Sequence, residues 1–398
     1  MNRLCGPMLL AAIALVGGGI LAFERISASP IVATIAVGEM PVALGVDART
    51  GHVFVANKYS ASVSILDGMH GKLIRTVSVG PSPQAIAIDA QVGHVFVAGS
   101  TSTSMLDAAS GVVLYTHKGG GFPTNILVDE LHHRLFVTAG NGPSLAVFDT
   151  RTGAFVRSLQ LLRGAGVMAL DAQTGHLFVA EVGTVATLDA VSGRVLSRVV
   201  VGANPLALAI DPQRHRLFAA VDPGGAATPG NQVCMIDTWS GQLLRTTPVL
   251  GPAALAVDTR TGRVFVASYS THDHRAVVTL LDATSGARVG TAMVGDLPEA
   301  VTVAERTGRV FVANYGGSTV TVLDAATGSV IQTISMHGMP YAMAIDTTLG
   351  RVFVANDKLA HQSALDNIKQ VLSGVFHSTS AAARDAGSVV VLNATGSP

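Results

Sequence analysis

The sequence predicts an all-β fold, an eight-bladed β-propeller of four-stranded antiparallel blades, and three observations lead there. A box reading Gly-His-Val-Phe-Val-Ala-Asn at Gly51 to Asn57 recurs along the chain, centred on Phe54, Phe96, Phe136, Phe178, Phe218, Phe265, Phe311 and Phe353 at separations of 40 to 47 residues. A fixed period of that length is the mark of a repeat fold. Each repeat also divides into four short runs rich in Val, Ile and Thr, bounded by Gly, Pro or Asp, and four strands per repeat make a propeller blade. Finally, the chain ends on Ser388 to Asn393, which matches a third strand, while Ile31 to Gly38 matches the fourth strand of every repeat. The N-terminal strand is therefore expected to pair with the last blade and close the ring, which removes exposed sheet edges. Counting each strand type gives eight blades; seven plus a degenerate unit is the alternative.

Within a repeat the first strand alternates small and bulky residues, as in Ala43, Leu44, Gly45 and Val46 or Ala342, Met343, Ala344 and Ile345. Side chains alternate across a strand, so each blade shows a small face and a bulky face that can nest between neighbours. The box forms the second strand, and its phenylalanine is expected in the seam between blades. The third strand is typified by Ser62 to Asp67 and the fourth by Leu73 to Gly80.

The 398 residues are 48% hydrophobic and 13% charged, with 26 basic and 26 acidic side chains and a formal net charge of zero. Such a chain can bury a large core and offers no global field to nucleic acid or an anionic membrane. Cys5 lies in a leader and Cys234 in a strand, so no disulfide framework or cysteine metal site is expected. Residues 1–29 read as a signal peptide or N-terminal anchor: Arg3 precedes an apolar run from Met8 to Phe23, followed by Glu24, Arg25 and the small residues Ser27-Ala28-Ser29. Those 16 apolar residues are fewer than the ~20 that span a bilayer comfortably, which favours cleavage near Ala28 or Ser29; either way the protein is exported. Residues 31–398 form a single propeller domain, periplasmic or at the cell surface, and expected to be a monomer.

The repeat identifies acids that serve turns. Asp47, Asp89, Asp129, Asp171, Asp211, Asp258 and Asp346 close first strands, and Asp67, Asp107, Asp149, Asp189, Asp237, Asp282 and Asp324 precede the turn after the third strand. Aspartate accepts hydrogen bonds from backbone amides two or three residues on, so these 14 acids are assigned to structure. Both sets fall on one face. The opposite face, here the top, carries the second-to-third and fourth-to-first loops, with Glu39, Glu181, Asp222, Asp273, Asp296, Glu299 and Asp357 against Lys58, Arg163, Arg275 and Lys358. A mildly acidic surface argues against a phosphate-binding platform.

Tyr59, Tyr269, Tyr315 and Tyr341 all fall in top segments of blades 1, 6, 7 and 8, which are contiguous in a closed ring. The same arc supplies Asn57, Asn314, Asn356, Asp296, Glu299 and His337. Amphipathic tyrosines beside convergent polar groups suit a ligand or partner; the bland reading is that these residues cap loops. His272-Asp273-His274 invites a metal reading, but in a strand-like loop the middle residue points away from its neighbours. The stretch Asp357 to Gly387 exceeds an ordinary loop. Leu365, Ile368 and Leu372 follow helical spacing and Ser363 with Asp366 resembles a capping box, so a short amphipathic helix and a flexible run are expected there, as a lid, docking surface or rim decoration.

The box written Phe-Val-Ala-Asn, with Phe311 to Asn314 followed by Thr319 to Asp324 as the closest copy, resembles the YVTN-repeat β-propeller family, including its YncE-like members, over Ile31 to Pro398. That resemblance implies an exported or surface-associated propeller; relatives bind partners, carry catalytic sites or, in some YncE-like cases, bind DNA. Many are seven-bladed, so eight repeats is a departure. No Gly-x-Ser-x-Gly, dinucleotide, P-loop or His-Glu-x-x-His signature is present. The expectation is a scaffold binding a protein, peptide or glycan-like ligand in the cell envelope through its top face, with no cofactor. A lactonase, lyase or haem or metal oxidoreductase is the enzymatic alternative. Eight blades are similar to the haem d1 propellers, in which His337 would be the candidate iron ligand. Single-stranded DNA binding is a further alternative.

Overall fold

The computed structural model describes residues 29–119, 123–139, 142–162, 164–222, 231–270, 274–357 and 386–394. The strands form eight separate four-stranded antiparallel sheets, one per repeat. In blade 1 the order is Pro41–Asp47, His52–Asn57, Ser62–Asp67 and Lys72–Ser78, running from inner to outer strand. The eighth blade draws its inner three strands, Met339–Asp346, Arg351–Asp357 and Ser388–Asn393, from the end of the chain. Its outer strand is Ile31–Ala36, paired antiparallel with Ser388–Asn393. Ring closure is thus a clasp between the two ends of the chain.

Each box phenylalanine is at most 1% exposed and lies against the next blade. Phe54 clusters with Val95 and Val97 of blade 2, Phe178 with Leu217 and Ala219 of blade 5, and Phe353 of the last blade with Val53 and Val55 of the first. The small-on-bulky nesting is equally direct: a Cβ at Gly45 would lie 2.8 Å from Ile86 and 3.0 Å from Ile88. Outer strands of seven blades turn apolar side chains into the seams, such as Val77 and Val79 into the first and Ile334 and Met336 into the seventh.

The bottom of the ring is stitched by polar contacts. The Nδ1 atoms of His52, His94 and His176 lie 2.9, 2.7 and 2.8 Å from the carbonyls of Ala108, Thr150 and Thr238, each in the following blade. A carbonyl only accepts, so these rings carry the proton on Nδ1. The first aspartate set is at most 2% exposed and accepts from backbone amides two or three residues on, as Asp47 does from Arg49 at 3.0 Å. In the second set, hydrogen bonds from the residue three positions on hold Asp67, Asp107, Asp189 and Asp324 below the ordinary carboxylate value of 3.8. Burial pushes Asp149, Asp237 and Asp282 upward, yet donors from Thr152, Ser240 and Ser285 with neighbouring arginines outweigh it.

Two outcomes are expected. Phe353→Ala should lower unfolding free energy by roughly 3–5 kcal/mol in denaturant titrations, because it empties the closing seam. The turn aspartates bind protons more weakly folded than unfolded, so their contribution is complete above about pH 4 and is lost as pH falls through their depressed folded values. Melting temperatures measured between about pH 5 and 2 should decline accordingly, and Asp107→Asn should flatten part of that decline.

Candidate binding site on the top face

Seven of the eight inner strands carry a β-bulge at the residue following a proline: Val42, Gln84, Thr124, Leu206, Ala253, Glu299 and Tyr341. A bulge leaves one residue unpaired and re-aims its side chain at the top end of the strand. In blades 7 and 8 that place holds Glu299 and Tyr341. Directly after the box, where blade 1 has Lys58, these blades carry Tyr315 and Asp357.

These positions converge. The rings of Tyr315 and Tyr341 are 6.1 Å apart at 80°, the edge-to-face arrangement that aromatic quadrupoles favour. Burial raises the Tyr315 phenol above its ordinary value of 10, and the charges of Asp357 and Glu299 and the Tyr59 phenol raise it further. Tyr341 is raised by burial, then by Glu299 and Tyr315. Desolvation also pushes the Glu299 carboxyl above its ordinary value of 4.5. Glu299 still reaches solvent, but protein crowds it closely enough to weaken its hydration. Residues of blades 7, 8 and 1 therefore share one electrostatic environment across the ring closure. Both phenols remain neutral donors at physiological pH, with acidic groups beside them.

Backbone bonds hold this arc still. The Tyr315 amide donates to Leu297 O at 2.9 Å, the Lys58 amide to Met40 O at 2.9 Å and the Tyr59 amide to Glu39 O at 3.3 Å, so box tails are tied to fourth-to-first loops. Tyr59 is 49% exposed, whereas Tyr315 and Tyr341 are half-buried.

The other residues singled out by sequence take different places. Asn57, Asn314 and Asn356 are at most 1% exposed. Asn57 Nδ2 donates to Ser62 and Ser64 (both 3.0 Å), Asn314 Nδ2 to Thr319 (3.0 Å) and Thr321 (2.9 Å), and Asn356 Nδ2 to Met336 O (2.9 Å). Gly38, Gly295 and Gly338 lie so close that a Cβ would sit 2.7, 2.8 and 2.6 Å from these asparagine side chains. The asparagines thus form a floor beneath the loops. His337 and Asp296 are exposed on those loops. Tyr269 pairs with His274 in blade 6, its hydroxyl 2.8 Å from Nδ1, apart from the Tyr315 and Tyr341 pair. His272 and Asp273 lie outside the described residues, as do residues 358–385 of the long insertion and residues 1–28. Among the described residues no group of three or more His, Cys, Asp or Glu could hold a metal ion. Glu181 is buried on Arg198, 2.9 Å from its Nε, and serves structure.

Bulges and loop ties were invisible to strand alternation alone. A signal was present in the Pro-Glu and Pro-Tyr pairs, where the residue after proline, Val42, Gln84, Thr124, Leu206 or Ala253 in other blades, becomes an acid in Glu299 and an aromatic in Tyr341.

Residues 181–365 match the model of a family described as the outer membrane protein assembly factor BamB, just under half of the chain. That stretch is thus similar to PQQ-like, BamB-type propeller repeats; nothing specific to YVTN repeats accompanies the match. No curated protein matches the sequence. Among solved structures, Saccharomyces cerevisiae Sqt1 is similar at 11% identity over 92% of this chain and 99% of its own, with a TM-score of 0.72. BamB from Moraxella catarrhalis is similar at 15% identity over 91% and 99%, with a TM-score of 0.64. Kuenenia stuttgartiensis hydrazine synthase is similar at 18% identity over 78% and 100%, with a TM-score of 0.60. Identities this low show the shared propeller fold alone.

Glu299 ionises less readily folded than unfolded, so above about pH 4.5 it weakens folding, and below that the effect disappears. Glu299→Gln should raise the melting temperature at pH 7 and leave it unchanged near pH 3. It should also lower the Tyr315 and Tyr341 titration midpoints in tyrosinate absorbance, assigned with Tyr315→Phe and Tyr341→Phe.

Proposed function

We propose that this protein is an exported, non-enzymatic binding scaffold of the cell envelope that acts as a monomer. It recognises a protein or peptide ligand through the top of blades 7, 8 and 1. The observation that carries this reading is the edge-to-face pair of Tyr315 and Tyr341, 6.1 Å apart, with the charges of Asp357 and Glu299 near enough to act on Tyr315. Tyrosine faces and carboxylates both attract cations, so a basic side chain of the ligand is the group this arc suits. Phosphate-rich ligands would meet like charge there, which disfavours nucleic acid.

Glu299 supports the reading in a second way. It sits on a β-bulge beside the tyrosine pair and is open to solvent, within reach of a ligand. The partial match to an outer-membrane assembly factor and the export expected from the leader both favour an envelope setting. No helix among the described residues is long and apolar enough to cross a membrane.

The test is fluorescence anisotropy with labelled peptides of identical length, one set containing Lys and Arg and the other Glu in their place. The basic set should bind and weaken as salt rises. Tyr315→Ala with Tyr341→Ala should reduce that affinity by roughly tenfold or more, in keeping with two lost cation–π contacts, while the melting curve stays cooperative. Equal binding of acidic peptides, or full binding by the folded double variant, would sink this assignment.

A further inference from the structure

One seam of the ring lacks its plug. In seven blades the end of the outer strand places apolar side chains in the seam to the next blade: Val77 and Val79, Leu159 and Leu161, Val199 and Val201, Val249, Ala292 and Val294, Ile334 and Met336, Ile35 and Val37. Blade 2 has His117 and Gly119 at these places. The ladder fixes the equivalence, since Thr103 pairs with His117 as Val63 pairs with Val77. The cluster between blades 2 and 3 accordingly contains no outer-strand residue of blade 2.

The missing atoms leave a cleft of about 220 Å³ lined by His117, Gly119, Thr103, Ser144, Phe148 and Phe155, among others. Exposure records the same opening independently. At the middle of the third strand, Ser64, Ser104, Ala186, Cys234, Thr279, Thr321 and Val390 are at most 3% exposed, but Ala146 of blade 3 is half-buried. Its partner on the box strand, Val137, is 8% exposed, against at most 2% for Val55, Val97, Val179 and Val354.

The walls specify a chemistry. His117 stacks on Phe155 with centroids 5.8 Å apart and planes 14° apart, and meets Phe148 edge-on at 5.1 Å. Phe148 meets Phe155 edge-on at 5.7 Å, so three rings form an aromatic corner. Thr103, Ser144 and Ser158 bring hydroxyls to the same space. An apolar cavity of about 150 Å³ accommodates benzene, so this one has space for a single ring with one or two substituents.

We propose that the cleft between blades 2 and 3 is a binding site for a small single-ring aromatic molecule bearing a hydrogen-bonding substituent. The ring packs against Phe148, Phe155 and His117, and the substituent reaches the imidazole or a hydroxyl. The site is independent of the top-face arc, which draws on blades 7, 8 and 1.

The test is ligand-observed NMR titration of the full chain with p-cresol, with 4-methylcyclohexanol as the non-aromatic control of similar size. The wild type should bind p-cresol, and the control at least tenfold more weakly. Ala146→Leu fills the cleft from its blade 3 wall and should retain the melting temperature while weakening p-cresol at least tenfold; Ser158→Leu, from another strand, serves if that variant fails to fold. Tyr315→Ala with Tyr341→Ala should bind p-cresol as the wild type does, which separates the two sites. No p-cresol binding by the wild type, equal binding of the control, or undiminished binding by a folded filled variant would overturn the proposal.

Discussion

The structure depends on one repeated contact: a phenylalanine from each box strand, closed off from solvent, pressed against the box-strand aliphatics of the following blade. A four-stranded blade cannot bury both of its faces by itself. Eight seams of this kind, most of them lined with small residues facing bulky ones, bury them together and require the ring to close. The pairing of Ile31–Ala36 with Ser388–Asn393 follows from that requirement, because the last seam joins Phe353 to Val53 and Val55. Histidine bonds to the next blade's carbonyls and aspartate-capped turns hold the bottom face, where the repeat is most regular.

Function is expected where that regularity lapses. On the top face, the bulge after the inner-strand proline puts one residue in each of seven blades outside the ladder, free to vary without disturbing the seam. Blades 7 and 8 use it for Glu299 and Tyr341, and the adjacent box tails supply Tyr315 and Asp357. The outer half of the seam between blades 2 and 3 is the other lapse. There His117 and Gly119 replace a pair of aliphatic plugs without disturbing the Phe96 contact deeper in the seam. Both places keep the packing that closes the ring and change side chains beyond it.

The asparagines show how a conspicuous residue can serve the scaffold. Asn57, Asn314 and Asn356 recur at the end of the box beside the tyrosines, which made them candidates by position. Their amides instead donate into the third strand or to a loop carbonyl, beneath glycines that have no room for a Cβ. A polar side chain at a strand end can face solvent or support the loop above it, and strand alternation does not distinguish these outcomes.

The sequence by itself determined the architecture: the period, the four strands, the eight blades, the clasp and the aspartate turns. Most of these rest on local chemistry repeated seven or eight times along the chain, and the clasp follows from the repeat count, so tertiary context has little scope to override them. It also determined which blades carry the top-face tyrosines. The tertiary structure alone decided which of those residues meet. Tyr315, Tyr341, Glu299, Asp357 and Tyr59 come together, whereas Tyr269 pairs with His274 within its own blade. The reason is physical: such convergence depends on bulge geometry and on distances across the ring, which strand periodicity does not encode. Likewise, the substitutions at His117 and Gly119 are legible in the repeat, but only three-dimensional packing shows that, among the described residues, no neighbouring side chain filled the space they vacated.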